Sequence, residues 1–198
     1  MNTQWIAVTN RKLCLQDYLE VIRILAGQGL KTILLREKDL DERAYEQLAA
    51  ECMEICRREG ASLTLHGHLE AARKLHADRI HLPFSVFRES LGKMDEFSHV
   101  STSIHAVEEA VEAEQMGAEF VIAGHIFQTD CKKGVPPRGL SFLRETVQAV
   151  SIPVYAIGGI TPLNIEEVLT AGAAGGCMMS GFMKSPKIID KPQVLGHT

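Results

Sequence analysis

The chain has 198 residues, 45% hydrophobic and 23% charged, with a formal net charge of −4, which is enough for one domain with a full core. It has no basic block, which argues against nucleic acid as the main partner but leaves room for a small anion at a local positive site. No apolar run approaches the roughly 20 residues of a membrane span, and Met1-Asn2-Thr3-Gln4-Trp5 lacks the pattern of a secretion signal, so the expected setting is the cytoplasm, with no membrane partner.

Short β-like runs alternate with helical patterns. Residues 5–8 read as a first strand, and 17–28 as a helix with apolar residues at 18, 21, 22 and 25, closed by Gly29. Residues 32–36 form a second strand, 42–59 a long helix, 62–65 a third strand, 69–75 a short helix and 79–82 a fourth strand. Residues 99–102 follow as strand five, 107–116 as a helix, 120–123 as strand six, 140–149 as a helix, 154–157 as strand seven, 164–170 as a helix and 176–179 as strand eight. Five cysteines (14, 52, 56, 131 and 177), with Cys52 and Cys56 four apart on one helix, fit a reducing compartment better than a disulfide framework.

Eight strands with intervening helices predict an α/β fold of the (β/α)₈ TIM-barrel type, with a doubly wound open sheet as the alternative. The barrel is favoured because candidate functional residues follow many strands around the whole chain. Residues 1–198 read as a single barrel domain, with its core over about 4–183 and an irregular tail over 184–198. Lys184-Ser185-Pro186-Lys187 and Lys191-Pro192 break any long pattern there, so the closing helix is expected to be short or absent.

Four constellations carry chemistry. Gly124-His125-Ile126-Phe127-Gln128-Thr129-Asp130-Cys131-Lys132-Lys133-Gly134 directly follows strand six. It sets His125 beside the anion-binding groups Thr129 and Lys132 at a strand's carboxyl end, where active sites of parallel α/β proteins lie. Arg36-Glu37-Lys38 follows strand two and offers two cations flanking a carboxylate that can orient them, or else a solvated loop of charges. Gly158 and Gly159 after strand seven, with Met179, Ser180 and Gly181 after strand eight, suit a phosphate cradle, or else two tight turns. His66-Gly67-His68, with His76 and His81 beyond, lacks clear partnering carboxylates and reads as loop and helix residues rather than a metal site, although His66 is placed to line the pocket. Ser103 reads as a ligand contact or a helix N-cap. Pro162 and Asn164 read as helix-start residues, and Cys131 beside two lysines as a thiol of depressed pKa.

Leu35-Arg36-Glu37-Lys38, Ser103-Ile104-His105, the Gly124 to Gly134 segment, Ile157-Gly158-Gly159-Ile160 and Met179-Ser180-Gly181 together resemble the thiamin phosphate synthase/TenI superfamily, in the family's order and over roughly residues 4–183. The synthase branch couples a pyrimidine methyl pyrophosphate to a thiazole phosphate with magnesium. It carries a glutamine before its Arg-Glu-Lys, an Asn-Asp after strand three and an Asp soon after strand four. Here Leu34 and Leu35 precede Arg36, His66-Gly67 stands at the Asn-Asp position, and Leu82-Pro83-Phe84-Ser85 has no carboxylate. The histidine of Gly124-His125 stands where synthases typically carry proline and resembles the TenI-type thiazole tautomerase branch.

That resemblance implies a cofactor-independent isomerase of thiamin biosynthesis. It would convert a carboxythiazole phosphate ylidene tautomer to the aromatic carboxythiazole ethyl phosphate, with His125 moving both protons. Arg36, Lys38, Ser103, Thr129 and Lys132 would bind substrate, and Gly158, Gly159, Met179, Ser180 and Gly181 the phosphate, with no metal. The alternatives are a non-catalytic thiazole or thiamin phosphate-binding regulatory protein and a thiamin phosphate synthase. A homo-oligomer is also possible, since a short final helix leaves one face of the barrel for a partner subunit to cover.

Overall fold

The computed structural model describes residues 4–187, with the side chains of Gln4 and Cys131 outside that description. Eight strands alternate with eight helices: β1 (Gln4–Val8), α1 (Tyr18–Gly27), β2 (Thr32–Leu35), α2 (Glu42–Glu59), β3 (Ser62–His66), α3 (Leu69–Lys74), β4 (Arg79–Pro83), α4 (Phe84–Glu89), β5 (His99–Ile104), α5 (Val107–Gln115), β6 (Val121–Gly124), α6 (Gly139–Ala149), β7 (Val154–Ile157), α7 (Ile165–Thr170), β8 (Gly175–Met178) and α8 (Ser180–Lys184). All neighbouring strands are parallel. β1 closes on β8, with Trp5 opposite Gly176 and Ala7 opposite Met178, so the sheet is a barrel and not an open doubly wound sheet.

Local chemistry sets the helices. Asp17 accepts the Glu20 N–H at 3.0 Å and opens α1, and Asp41 accepts the Ala44 N–H at 2.8 Å and opens α2. Tyr45, Ala49, Cys52 and Cys56 recur along α2 at the spacing of one helix face, and all four are buried. Cys14, Cys52, Cys56 and Cys177 are free thiols. Burial pushes Cys56 up to about 12, which makes it a packing residue rather than a nucleophile.

α4 is not expected from the sequence. It begins directly after Pro83, spans six residues and buries only Phe87, too little for a periodic signal. α8 is a five-residue helix, the short closing element that the broken pattern predicts. Of the predicted tail, residues 188–198 lie outside the described residues.

The strands alternate between two environments. Trp5 and Ala7 of β1 join the core shared with the helices, whereas Ile6 and Val8 join a second cluster with Leu34, Ile122 and Cys177 inside the barrel. That lumen is not apolar all round. His81 Nδ1 and Nε2 lie 2.8 and 2.7 Å from the hydroxyls of Ser101 and Ser103, and the His66 ring stacks on His81 at 5.5 Å. One side of the barrel is thus closed by aliphatic packing and the other by a hydrogen-bonded imidazole–hydroxyl network.

Candidate active site

A cavity of about 950 Å³ opens at the carboxyl ends of the strands and into the barrel mouth. His125, Thr129 and Lys132 line it from the segment after β6. This segment is held on two sides. Ile126 and Phe127 donate to the carbonyls of Ile157 and Gly158, both at 2.9 Å, extending the β6–β7 ladder past the strand ends. The His125 and Ile126 carbonyls accept from Arg138 and Gly139 at 2.9 and 3.1 Å, tying the same stretch to the start of α6. His125 is therefore fixed by backbone and is buried. Its Nε2 faces the Val135 carbonyl at 3.2 Å. A carbonyl can only accept, so Nε2 carries the proton and the neutral ring keeps its lone pair on Nδ1. Of the two adjacent lysines only Lys132 lines the cavity. Lys133 pairs with the exposed Asp130 at 3.7 Å.

Arg36 and Lys38 bring two more cations to the wall. Desolvation, then the charges of Arg36 and Lys132, push the Lys38 amine down, as happens when cations crowd one place. The carboxylate between them has a different role from the one expected. Glu37 is buried and turns to β1, accepting the Thr9 hydroxyl at 2.7 Å, the Arg11 backbone N–H at 3.0 Å and Arg11 Nη1 at 3.1 Å. It anchors the loop after β1 to the end of β2.

Gly158 and Gly159 line the cavity from the end of β7, and Met179 and Ser180 from the end of β8. A Cβ on Gly159 would come within 2.6 Å of the Gln128 carbonyl oxygen, so this loop needs glycine to lie against the β6 segment. Asn164 opens α7, but its side chain holds the loop itself, donating to the Gly159 carbonyl at 2.9 Å and accepting from Thr161 N at 2.8 Å. Gly181 is not among the residues lining the cavity; a Cβ there would meet only the flexible end of the Met178 side chain.

Ser103 lines the cavity from inside β5 and is no helix cap; α5 begins after Ala106. His66 also lines the cavity, whereas His68 pairs with Glu42 at 2.8 Å and stacks on Tyr45, a structural placement. Burial first, then the positive Arg36 and Lys38, hold His66 at about 4, and burial holds His81 well below its ordinary range. The folded chain therefore binds fewer protons than the unfolded chain, and stability falls as pH drops through the ordinary histidine value of 6.5 towards 4. His66 alone contributes about 3 kcal/mol to that fall. The urea midpoint is expected to drop between about pH 6.5 and 5, before most carboxylates titrate, and to drop less in His66→Asn. An equal drop in the variant would remove His66 as the source.

Other lining residues carry no role legible from local pattern. His105 closes the Ser103-Ile104-His105 run. Arg88 lies on the unexpected α4, and Glu108, Glu109 and Glu112 lie on α5. The magnesium–pyrophosphate chemistry of the synthase branch calls for hard oxygen donors after β3 and β4. β3 ends at His66 and β4 at Pro83, and neither end supplies one. The lining carboxylates are confined to α5, and Glu109 already accepts the His105 N–H at 2.5 Å. Among the described residues, no three His, Cys, Asp or Glu side chains come together as a metal-holding group. The donor set does not fit that metal site.

Comparison with known proteins places this geometry in a lineage. Residues 5–182 match the family model described as thiamine monophosphate synthase, TMP-TENI. A putative thiamine-phosphate synthase 2 of Aquifex aeolicus is 35% identical over 179 residues, covering 90% of this chain and 96% of the relative. A thiamine-phosphate synthase of Pyrococcus horikoshii is 34% identical, covering 89% and 84%. The solved thiamine phosphate pyrophosphorylase of Pyrococcus furiosus superposes with a TM-score of 0.78 at 28% identity, covering 92% of this chain and 89% of that one. These names support an enzyme of thiamin biosynthesis, and a synthase over a tautomerase. With its fold, motif order and sequence all matching from end to end of the barrel, the chain belongs to the thiamine monophosphate synthase/TenI family.

Proposed function

We propose that the chain is the isomerase of this family, a thiazole phosphate tautomerase working as a single barrel domain without metal or other cofactor. The observation that carries the reading is His125. It is buried, lines the cavity, and is locked with its lone pair on Nδ1. The cations Arg36, Lys38 and Lys132 and the Gly158–Gly159 loop line the same cavity.

The chemistry follows from that layout. Arg36, Lys38 and Lys132 would hold the ring carboxylate, and the loop of Gly158 and Gly159 with Ser180 the phosphate. Proton loss from ring C2 gives an anion delocalised into the carboxylate and the imine-like nitrogen. The same cations stabilise this charge as it develops, which is where fixed charges lower a barrier. Protonation at the exocyclic carbon then leaves an aromatic ring. A positioned general base supplies about 10²–10⁴-fold, and aromatisation supplies the driving force.

One observation favours another reading: the names of the relatives favour a synthase. The third reading is a cavity that binds thiazole phosphate without turning it over. One assay separates all three. The purified chain, in buffer with chelator, is given the ylidene tautomer, and the aromatic product is followed by ultraviolet absorbance or proton NMR. The expected result is conversion well above the uncatalysed rate. Absence of conversion would reject the reading: magnesium-dependent pyrophosphate release from pyrimidine and thiazole substrates would then establish a synthase, and tight binding without turnover a binding protein.

A further inference from the structure

Of the three imidazoles that line the cavity, His66, His105 and His125, backbone carbonyls hold the last two as opposite tautomers. His125 Nε2 faces the Val135 carbonyl at 3.2 Å, and His105 Nδ1 faces the Gly124 carbonyl at 2.7 Å. Each nitrogen facing a carbonyl must carry a proton, so neutral His125 offers Nδ1 and neutral His105 offers Nε2. The pair is tied through one peptide unit, because the carbonyl that accepts from His105 belongs to the residue preceding His125. His105 is fixed from its other side by Glu109, whose carboxylate accepts its backbone N–H at 2.5 Å. The two rings also differ in access: His125 is 5% exposed, whereas His105 is exposed to solvent.

The reaction moves protons at two carbons. A single buried imidazole would have to reach both, whereas two fixed rings divide the task. We propose that His105 is a second catalytic acid–base residue, an inference that rests on the tautomerase reading. His125 Nδ1 removes the C2 proton, and protonated His105 delivers the proton on its Nε2 to the exocyclic carbon. The C2–H electron pair enters the ring, and the exocyclic double-bond pair forms the new C–H bond. No electron leaves the substrate, which loses one proton and gains one. The enzyme ends the turnover with a proton moved from His105 to His125. Exposed His105 regains one from solvent, and His125 gives one up, before the next cycle.

The test uses the ylidene tautomer deuterated at C2, in ordinary water, with wild type and His105→Asn. The asparagine amide can still donate to the Gly124 carbonyl, but nothing occupies the Nε2 position. Expected are a fall in kcat of about 10²-fold or more, a KM within a few-fold of wild type, and partial rescue by added imidazole. In the wild type, the exocyclic carbon of the product should carry no substrate deuterium. A variant with kcat within two-fold of wild type, a raised KM at unchanged kcat, or deuterium carried to the exocyclic carbon by the wild type would each overturn the inference alone. A wild type inactive on the tautomer would overturn the functional reading and this inference with it, and that control distinguishes the two failures. Should His105→Asn not fold, His105→Gln, which also lacks a titratable group, takes its place.

Discussion

His125→Ala is expected to lower kcat for the tautomer by about 10²–10⁴-fold, equivalent to about 3–5 kcal/mol of barrier, while thiazole phosphate still binds within a few-fold of wild type. The separation follows from the geometry. The groups proposed to hold the anion come from the ends of β2, β7 and β8 and from Lys132, whereas the imidazole hangs from a backbone stretch pinned to β7 and α6. That pinning does not pass through the side chain, so its loss should leave the cavity walls in place. Stopped-flow conversion and calorimetric binding on the same preparation check both halves. A variant that binds and turns over like the wild type would remove His125 from the mechanism. A variant that loses binding and turnover together would make it a holding residue.

Gly158→Ala is expected to cost at least about 10²-fold in kcat/KM and to lower the melting temperature. A Cβ at this position would sit 2.3 Å from His125 Cβ and 2.8 Å from His125 Cα, on a backbone with φ +97°. The residue must therefore leave a left-handed conformation that alanine disfavours, at about 1–3 kcal/mol. It must also push the base away from its carbonyl partner. Reacting groups displaced by about an ångström lose of the order of 10²-fold. Gly29→Ala is the control. Gly29 also has positive φ, +87°, but no atom lies within 4 Å of its added Cβ, and it follows α1 away from the cavity. It should lose stability and keep its activity. Equal activity losses in both variants would show that backbone strain, and not contact with His125, is responsible.

Three assignments now compete on different grounds. The relatives' names weigh towards a synthase. The ends of β3 and β4 weigh against magnesium–pyrophosphate chemistry, since His66 and Pro83 stand there. A pure binding role would leave unexplained why two carbonyls hold two imidazoles in defined tautomers within the same cavity. The tautomerase reading uses both features.

The order of elements was legible because each signal is local. Apolar runs bounded by turn residues mark the strands, and Asp17 and Asp41 mark where α1 and α2 begin. Six-residue α4 escaped because one buried residue makes no period. Motifs at strand ends placed His125, Arg36, Lys38, Thr129, Lys132 and Gly158 at one rim, since a parallel barrel brings all its strand ends together. Their partners were not legible. Glu37 looked like the orienter of its two neighbours, yet alternation along the chain turns it to Thr9 and Arg11, more than twenty positions away. Local pattern left Ser103 open between a ligand contact and a helix cap; β5 extends past it and puts its hydroxyl 2.7 Å from His81 Nε2. The same limit applies to the histidines. Sequence determines that they are present and which strand each follows. Only the closed barrel decides which is buried in the lumen, which stacks on a tyrosine and which has its proton placed by a carbonyl, because each outcome depends on contacts between segments that no local pattern encodes.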